Sequence, residues 1–359
     1  MSLRRLIAEL DTSTVNVTEF CRQHGISTWF FWELRRRFAA EGEAGLEPRS
    51  RAPRRVANKT PVAVEDEIVA MRKQLADQGL DAGPASIRFH LQDLVGVPSE
   101  ATIWRILTAR GFVTPEPAKA PKGPGRRFVA ERANECWQID DTGWELADGT
   151  EVKILNTVDD HSRVLVASVA MASCTGAATL TALAAAAAVL GWPTRFLSDN
   201  AKAFRHVLAD ALGALGIAAG HSRPYHPQTN GKVERFHQTL KKWLAAQPAA
   251  EDLDELQAQL DIFRFIYNHQ RPHRSIGRRF PAQIWAQAPK SGPADQPLGA
   301  PTHINTSRVH NGTVRAGRRY QISIGATHNG TDALIIRTGA HCHVFIDGHL
   351  ARQLTINPD

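Results

Sequence analysis

Cysteine is scarce: Cys21, Cys136, Cys174 and Cys342 are the four in 359 residues, and no two form a Cys-x-x-Cys pair. A structural zinc cluster needs closely spaced thiolates and a small secreted fold needs paired ones, so neither is expected, and a reducing cytoplasm fits. Long apolar runs are missing too. The most apolar stretch, Ala177 to Leu190, is about 14 residues, short of the roughly 20 that span a bilayer, and reads as a buried helix. The opening MSLRRLIAEL has too short an apolar run for a secretion signal. Neither a membrane partner nor a nucleotide cofactor is expected, and no internal repeat stands out.

What is abundant is positive charge. Lys and Arg number 43 against 36 Asp and Glu, a net +7, which suits a polyanionic partner. In the first 127 residues about 20 basic residues stand against about 15 acidic ones, so roughly +5 lies there. Hydrophobic residues at 43% and charged ones at 22% describe an ordinary globular chain, long enough for several cores.

Residues 1–47 and 61–112 each read as a small helical unit. Val17–His24 has helical spacing, Gly25 breaks it, and Ser27 can cap a helix running to about Phe38. In the second unit, helices over VEDEIVAMRKQLADQG and PASIRFHLQDL precede one capped by Ser99. Helix, Gly-bearing turn, capped helix is the outline of a helix-turn-helix, which any three-helix bundle can also produce. Arg35, Arg36 and Arg37 end the first candidate recognition helix, as DNA-backbone contacts or as a favourable cationic C-terminus. The linker 48–60 carries Arg49, Arg51, Arg54 and Arg55 among prolines: a solvated tether, or an arm whose arginines clamp phosphates or enter a minor groove. A second linker, 113–127, is rich in Pro and Lys and reads as the clearest domain boundary.

From 128 to 290 the pattern changes to three strands followed by alternating helices and strands, which predicts a mixed sheet with flanking helices. Residues 303–359 read as a small all-β, barrel-like domain with Gly and Asn turns. The predicted fold class is therefore multidomain: a helical N-terminus, an α/β core and a small all-β C-terminal domain.

Three central segments carry the candidate chemistry. Trp137-Gln138-Ile139-Asp140 places Asp140 in a strand, with Gln138 on the same face. In Ser198-Asp199-Asn200, Asp199 sits where a strand ends. His226-Pro227-Gln228-Thr229-Asn230-Gly231-Lys232-Val233-Glu234-Arg235 puts Glu234 at the start of a helix. There Val233, Phe236, Leu240 and Leu244 form an apolar stripe, and Asn230, Glu234, His237 and Lys241 share another face. Any single acidic residue at a strand end is commonly a cap or turn former; the combination is what matters. Together the segments resemble the motifs of the retroviral-integrase superfamily of DDE transposases, especially those of bacterial insertion sequences. Their order and the 34 residues between Asp199 and Glu234 are similar, and Tyr267-Asn268-x-x-Arg271-Pro272-His273 resembles a downstream element. The resemblance covers roughly residues 130–287.

It implies an RNase H-like core in which Asp140, Asp199 and Glu234 are the catalytic and metal-binding residues. It also implies two Mg²⁺ or Mn²⁺ ions, hard cations suited to carboxylate oxygen, and in-line attack on a phosphodiester. The implied activity is that of a transposase that binds the ends of a mobile element, hydrolyses DNA there and joins it to target DNA. Double-stranded DNA is the implied partner, with a homo-oligomer, dimer or tetramer, on it, beside the nucleoid of a bacterial cytoplasm. Arg35, Arg36, Arg37, Arg49, Arg51, Arg54, Arg55, Asn230, Lys232, Arg235 and Lys241 are the candidate nucleic-acid contacts. His226, Asn200 and His237 are candidates for positioning, with an ordinary loop histidine as the alternative for His226. Lys232 and Arg235 read as phosphate contacts or as plain solvated charges. Tyr267, Arg271 and His273 brace the domain or bind DNA away from the metals. Asp159 and Asp160, before His161-Ser162-Arg163, read as a hairpin turn, and Trp137 reads as core. Two departures stand out: Asp141 follows Asp140, and Ala201 stands where a Gly is usual. A catalytically silent DNA-binding protein derived from a transposase is the competing function, set against the retention of all three carboxylates. A plain metal-dependent nuclease is disfavoured by the helical N-terminus.

Overall fold

The computed structural model describes residues 2–49, 59–94, 96–113, 129–199, 201, 204–221, 231–293 and 302–356. The chain divides into two compact units, 1–60 and 61–359. The first contains α1 (Leu3–Glu9), α2 (Val17–Gln23) and α3 (Thr28–Glu41). Asn16 caps α2 and Ser27 caps α3, each accepting a backbone N–H of the first turn. Ile7, Phe20, Phe31 and Leu34 close the small core between the helices.

The second unit opens with α4 (Val62–Asp77), α5 (Pro84–His90) and α6 (Glu100–Ala109), packed around Ile68, Leu75, Ile87, Ile103 and Leu107. Five strands follow: β1 (Cys136–Glu145), β2 (Glu151–Asp159), β3 (Leu165–Met171), β4 (Arg195–Ser198) and β5 (Ala218–His221). They form one mixed sheet in the order β3-β2-β1-β4-β5, antiparallel from β1 to β3 and parallel from β1 to β5. Helices α7 (Gly176–Leu190) and α8 (Val207–Ala214) bury Leu180, Leu183, Leu208 and Leu212 with Trp137, Ile139 and Phe196. On the other face α9 (Gly231–Leu244) and α10 (Leu253–His269) bury Phe236, Leu240, Leu260 and Phe263 with Ile154 and Val158. Alternation along β1 therefore sends Trp137 and Ile139 to one layer, and Gln138 and Asp140 to the layer of α9.

Strand β3 is an edge, and α10 covers it with amide side chains. Asn268 accepts from Leu165 N and donates to Leu165 O, and Gln257 accepts from Ala170 N and donates to Ser168 O. An edge satisfied this way offers fewer free groups to another strand.

After α11 (Pro281–Gln287), the C-terminal strands form two antiparallel sheets. Strands β6 (Thr302–Arg308), β9 (Asp332–Thr338), β10 (His341–Ile346) and β11 (His349–Thr355) make one in the order β11-β10-β9-β6. Strands β7 (Thr313–Ala316) and β8 (Tyr320–Ser323) make the other. Ile336 and Phe345 lie in the same core as α7 and α8, so the all-β region is docked on the α/β core. The major division of the chain falls at residue 60, not at 113–127. A Pro- and Lys-rich composition signals a segment with no core of its own, but it does not say whether its flanks pack together, and here they do. Arg271 Nη2 lies 2.6 Å from Asp81 Oδ2, Arg278 pairs with Glu100 at 2.9 Å, and Phe89 meets Phe280 edge-on. Among the described residues no helix is long and apolar enough to cross a membrane.

Candidate active site

Strand register brings the first two carboxylates together. Gln138 on β1 is level with Leu197 on β4, in parallel pairing. Two residues further along stand Asp140, still in β1, and Asp199, just past the end of β4, close enough for the charge of Asp199 to act on the Asp140 carboxyl. Ala201 donates its backbone N–H to Asp199 Oδ1 at 2.9 Å, so the turn after β4 closes through the carboxylate. Glu234 is an exposed residue in the first turn of α9, the helix on the Asp140 side of the sheet.

The charge of Asp140 reports this convergence. Burial pushes its carboxyl up to about 7, and the neighbouring charges of Asp199, Asp141 and Glu234 push in the same direction. The Asp141 N–H, donated to Asp140 Oδ1 at 2.9 Å, pulls the other way. Asp141 itself pairs with Lys153 at 3.1 Å, so the second aspartate of the doublet is occupied elsewhere.

His237, one turn after Glu234, places Nδ1 3.8 Å from Asp140 Oδ2. Burial and the charge of Lys241 pull the imidazole down to about 4, and its Nε2 is buried without a hydrogen-bond partner. A separation of 3.8 Å is too long for a strong bond, so His237 is a neutral neighbour of Asp140 rather than its counter-ion. The donor set is thus hard oxygen, with like charges converging on Asp140, which suits a divalent cation. Among the described residues, no group of three or more His, Cys, Asp and Glu side chains is drawn together closely enough to hold a metal ion.

The other candidates separate. Arg235 and Lys241 are exposed on α9. Lys232 instead turns inward to Asp160, which is fully buried. Desolvation and Arg163 lower the lysine's affinity for its proton, while Asp160 raises it. Lys232 is therefore engaged by the core, not presented as a solvated charge.

In the first unit, Arg37 is buried and donates to Glu47 O at 2.7 Å, and Arg35 donates to Ile7 O and Leu10 O. These two guanidiniums satisfy carbonyls at the C-terminal end of α1 and in the turn after α3. The sequence predicts Arg35, Arg36 and Arg37 at the helix end, as DNA-backbone contacts or a cationic C-terminus; α3 instead runs on to Glu41. Because a helix turns 100° per residue, Arg35 and Arg37 face inward while Arg36 does not. Arg36 is exposed and pairs with Glu33, and Arg49 pairs with Glu41. Arg51, Arg54, Arg55, Asn200, His226 and Asn230 lie outside the described residues.

Tyr267 is buried, Arg271 lies over its ring at 5.2 Å, and burial pushes His273 down to about 3. This motif braces the helical bundle against the core. Asp159 and Asp160 are more than a hairpin. Asp159 accepts from Asn134 N and from Ser162 N and Oγ, while Asp160 accepts from Ala130 N and Gln138 Nε2. Their turn-like neighbours hide this in the sequence; in the structure Asp159 ends the buried half of β2, where a charge must find partners.

Two models of the family named "Integrase core domain" match, one over residues 130–227 and one over 215–281, together spanning the three carboxylates. Residues 130–281 of the chain are thus similar to the integrase core. A model described as "Homeodomain-like domain" matches residues 32–107. An uncharacterized 39.2 kDa protein of insertion element IS476 from Xanthomonas euvesicatoria is 29% identical over 171 residues, 47% of the chain and 49% of that protein. An uncharacterized 31.7 kDa protein of insertion element IS407 from Burkholderia multivorans is 27% identical over 155 residues, 43% of the chain and 56% of that protein. The match to the Gag-Pol polyprotein of bovine immunodeficiency virus is 27% identical and covers 70% of the chain but 18% of the polyprotein. The matches thus span about half the length, or less, of these relatives. Among solved structures, a simian T-cell lymphotropic virus intasome in complex with PP2A regulatory subunit B56 gamma aligns at 19% identity and a TM-score of 0.41. That alignment covers 80% of the chain and 99% of the other. The HTLV-2 integrase catalytic core domain in complex with magnesium aligns at 22% identity and a TM-score of 0.35, over 44% and 99%. The family is one of DNA integration and transposition.

Proposed function

We propose that the chain is a transposase that hydrolyses phosphodiesters at the ends of a mobile DNA element and transfers the freed 3′-hydroxyl to target DNA. The observation that supports this reading best is the match of residues 130–281 to the integrase core, with Asp140, Asp199 and Glu234 all inside it. Burial first, then the charges of Asp199, Asp141 and Glu234, push the Asp140 carboxyl to about 7. A cluster of like charges costs stability unless a cation or a chemical task accounts for it.

Asp140, Asp199 and Glu234 would hold two Mg²⁺ or Mn²⁺ ions, which when bound supply Lewis-acid stabilisation of the charge that develops on phosphate and leaving oxygens. The rest is work for this chain's own groups. Strand β1 fixes Asp140 by its register with β4, and Asp141 N–H orients one carboxylate oxygen. Glu234, in the first turn of α9, faces solvent, where a DNA strand can approach. Arg235 and Lys241 on the same helix are placed to contact phosphate; each such contact adds affinity that falls with salt. Arg36 and Arg49 offer exposed charge on the first unit. Double-stranded DNA is the proposed partner, and a homo-oligomer holding two ends is the proposed working form.

The deciding experiment incubates purified protein with duplex from its element's ends and Mg²⁺ or Mn²⁺, comparing wild type with Glu234→Gln. End-specific nicking and joining that disappear in the variant are the expected result. End binding with no cleavage by either protein would replace this reading with that of a silent DNA-binding relative.

A further inference from the structure

Asp160 lies at the end of β2, away from the three carboxylates, yet it touches the chain next to two of them. Its Oδ1 accepts from Gln138 Nε2 at 2.6 Å and from Lys232 Nζ, and its Oδ2 accepts from Ala130 N at 2.7 Å. Gln138 is two residues before Asp140 in β1, and Lys232 is two residues before Glu234 in α9. One buried oxygen therefore ties the strand that carries one carboxylate to the helix start that carries another. Arg163 Nη1, 3.9 Å from the same Oδ1, donates to the Asp160 carbonyl and so supports the loop that holds the carboxylate.

We infer that Asp160 is a positioning residue that sets the spacing between Asp140 and Glu234 by clamping Gln138 and Lys232. The inference rests on the reading of Asp140 and Glu234 as metal ligands. Side chains two apart on β1 share a face, so rotation of Gln138 is passed to Asp140 through the pleat. At the other end, Lys232 and Glu234 both belong to the first turn of α9, and pulling the lysine inward fixes the rotation and height of that turn. Turn building is the duty of Asp159, whose oxygens are taken by Asn134 and Ser162. The clamp is buried at Asp160 and charge-assisted, which is the kind of bond that holds geometry to a fraction of an ångström.

The test uses full-length protein and Mn²⁺ alone, with binding followed by electron paramagnetic resonance and folding by thermal melting. Asp160→Asn, Lys232→Met and the double variant are compared with wild type. The expected result is a loss of Mn²⁺ affinity of about tenfold in each single variant, the cost typical of a partner that orients a ligand. The double variant should bind no more weakly than the worse single one, because both substitutions break one link. Affinity for an end-DNA duplex should stay within about twofold in each, which a Lys232–phosphate contact would not allow. If Asp160→Asn fails to fold, Lys232→Met and Gln138→Met carry the same comparison. Folded variants that bind Mn²⁺ like wild type overturn the inference, as does a Lys232→Met that loses DNA affinity and keeps Mn²⁺. Glu234→Gln serves as the separate control: if it binds Mn²⁺ like wild type, the metal-ligand reading itself fails.

Discussion

His237 Nδ1 lies 3.8 Å from Asp140 Oδ2, and the two groups are shifted in opposite directions, the acid up to about 7 and the imidazole down to about 4. Their stability effects oppose each other. A carboxyl raised in the folded state binds protons there that the unfolded chain has released, so Asp140 makes the metal-free protein lose stability as pH climbs from about 4 to about 7. A lowered histidine does the reverse, and His237 makes the protein gain stability between about pH 4 and its ordinary value near 6.5. Their contributions partly cancel in the wild type. Asp140→Asn removes one side, so we expect it to stabilise the metal-free protein at pH 8 by about 1–2 kcal/mol and by little at pH 4.5. Thermal melts at the two pH values check this, and a uniform shift would contradict it.

Metal binding should expel the proton that Asp140 still carries near neutrality. Calorimetric titration of Mn²⁺ at pH 6.5 in two buffers of different ionisation enthalpy is expected to show about half a proton released or more, lost in Asp140→Asn. Cleavage should rise with pH through about 7 for the same reason.

The helical bundle of residues 61–112 is held to the core by an ion pair over an aromatic ring. Arg271 pairs with Asp81 at 2.6 Å while lying over Tyr267. Arg271→Ala should cost about 1–2 kcal/mol in global stability. Hydrogen exchange should speed up more in α4–α6 than in β1 and β2. Equal effects throughout would mean that the bundle is not separately anchored.

The C-terminal sheets dock through Phe345 and the turn at Gly348. Gly348 has φ +82°, and an added Cβ would sit 2.5 Å from Val207 Cγ1 on α8. Gly348→Ala is expected to be as damaging as many core truncations, and Phe345→Ala should cost about 3–5 kcal/mol. Denaturant melts of the full chain measure both.

Arg36 and Arg37 are neighbours with different duties, exposed against buried. Arg36→Ala should leave melting unchanged and lower the salt dependence of DNA binding by about one ion, whereas Arg37→Ala should destabilise the first unit. A reversed pattern would return Arg37 to the DNA surface.

Most strands and the flanking helices of the core were legible because each alternates or repeats within a short window. Helix α10 could have been read as well: Asp252 caps it, and Leu253, Leu256, Leu260, Phe263 and Tyr267 keep helical spacing. Strand β11 has no such mark, because its outward residues are polar and its inward ones few. The candidate carboxylates were legible only as a combination, since one aspartate at a strand end resembles any other. Asp160 was not legible as a clamp: its partners, Ala130, Gln138 and Lys232, lie 30, 22 and 72 residues away.

By itself the sequence determined the local periodicities, the caps, the basic excess and which side chains each strand presents to each face, because all of these depend on neighbours within a turn or a pleat. The tertiary structure decided which of those side chains meet. It placed Asp140 beside Asp199 through the register of β1 with β4. It turned Lys232 from solvent to Asp160, and it spent Arg35 and Arg37 on carbonyls of the first unit. A buried charge or carbonyl takes the nearest partner that packing delivers, and packing is a property of the whole chain rather than of any window of it.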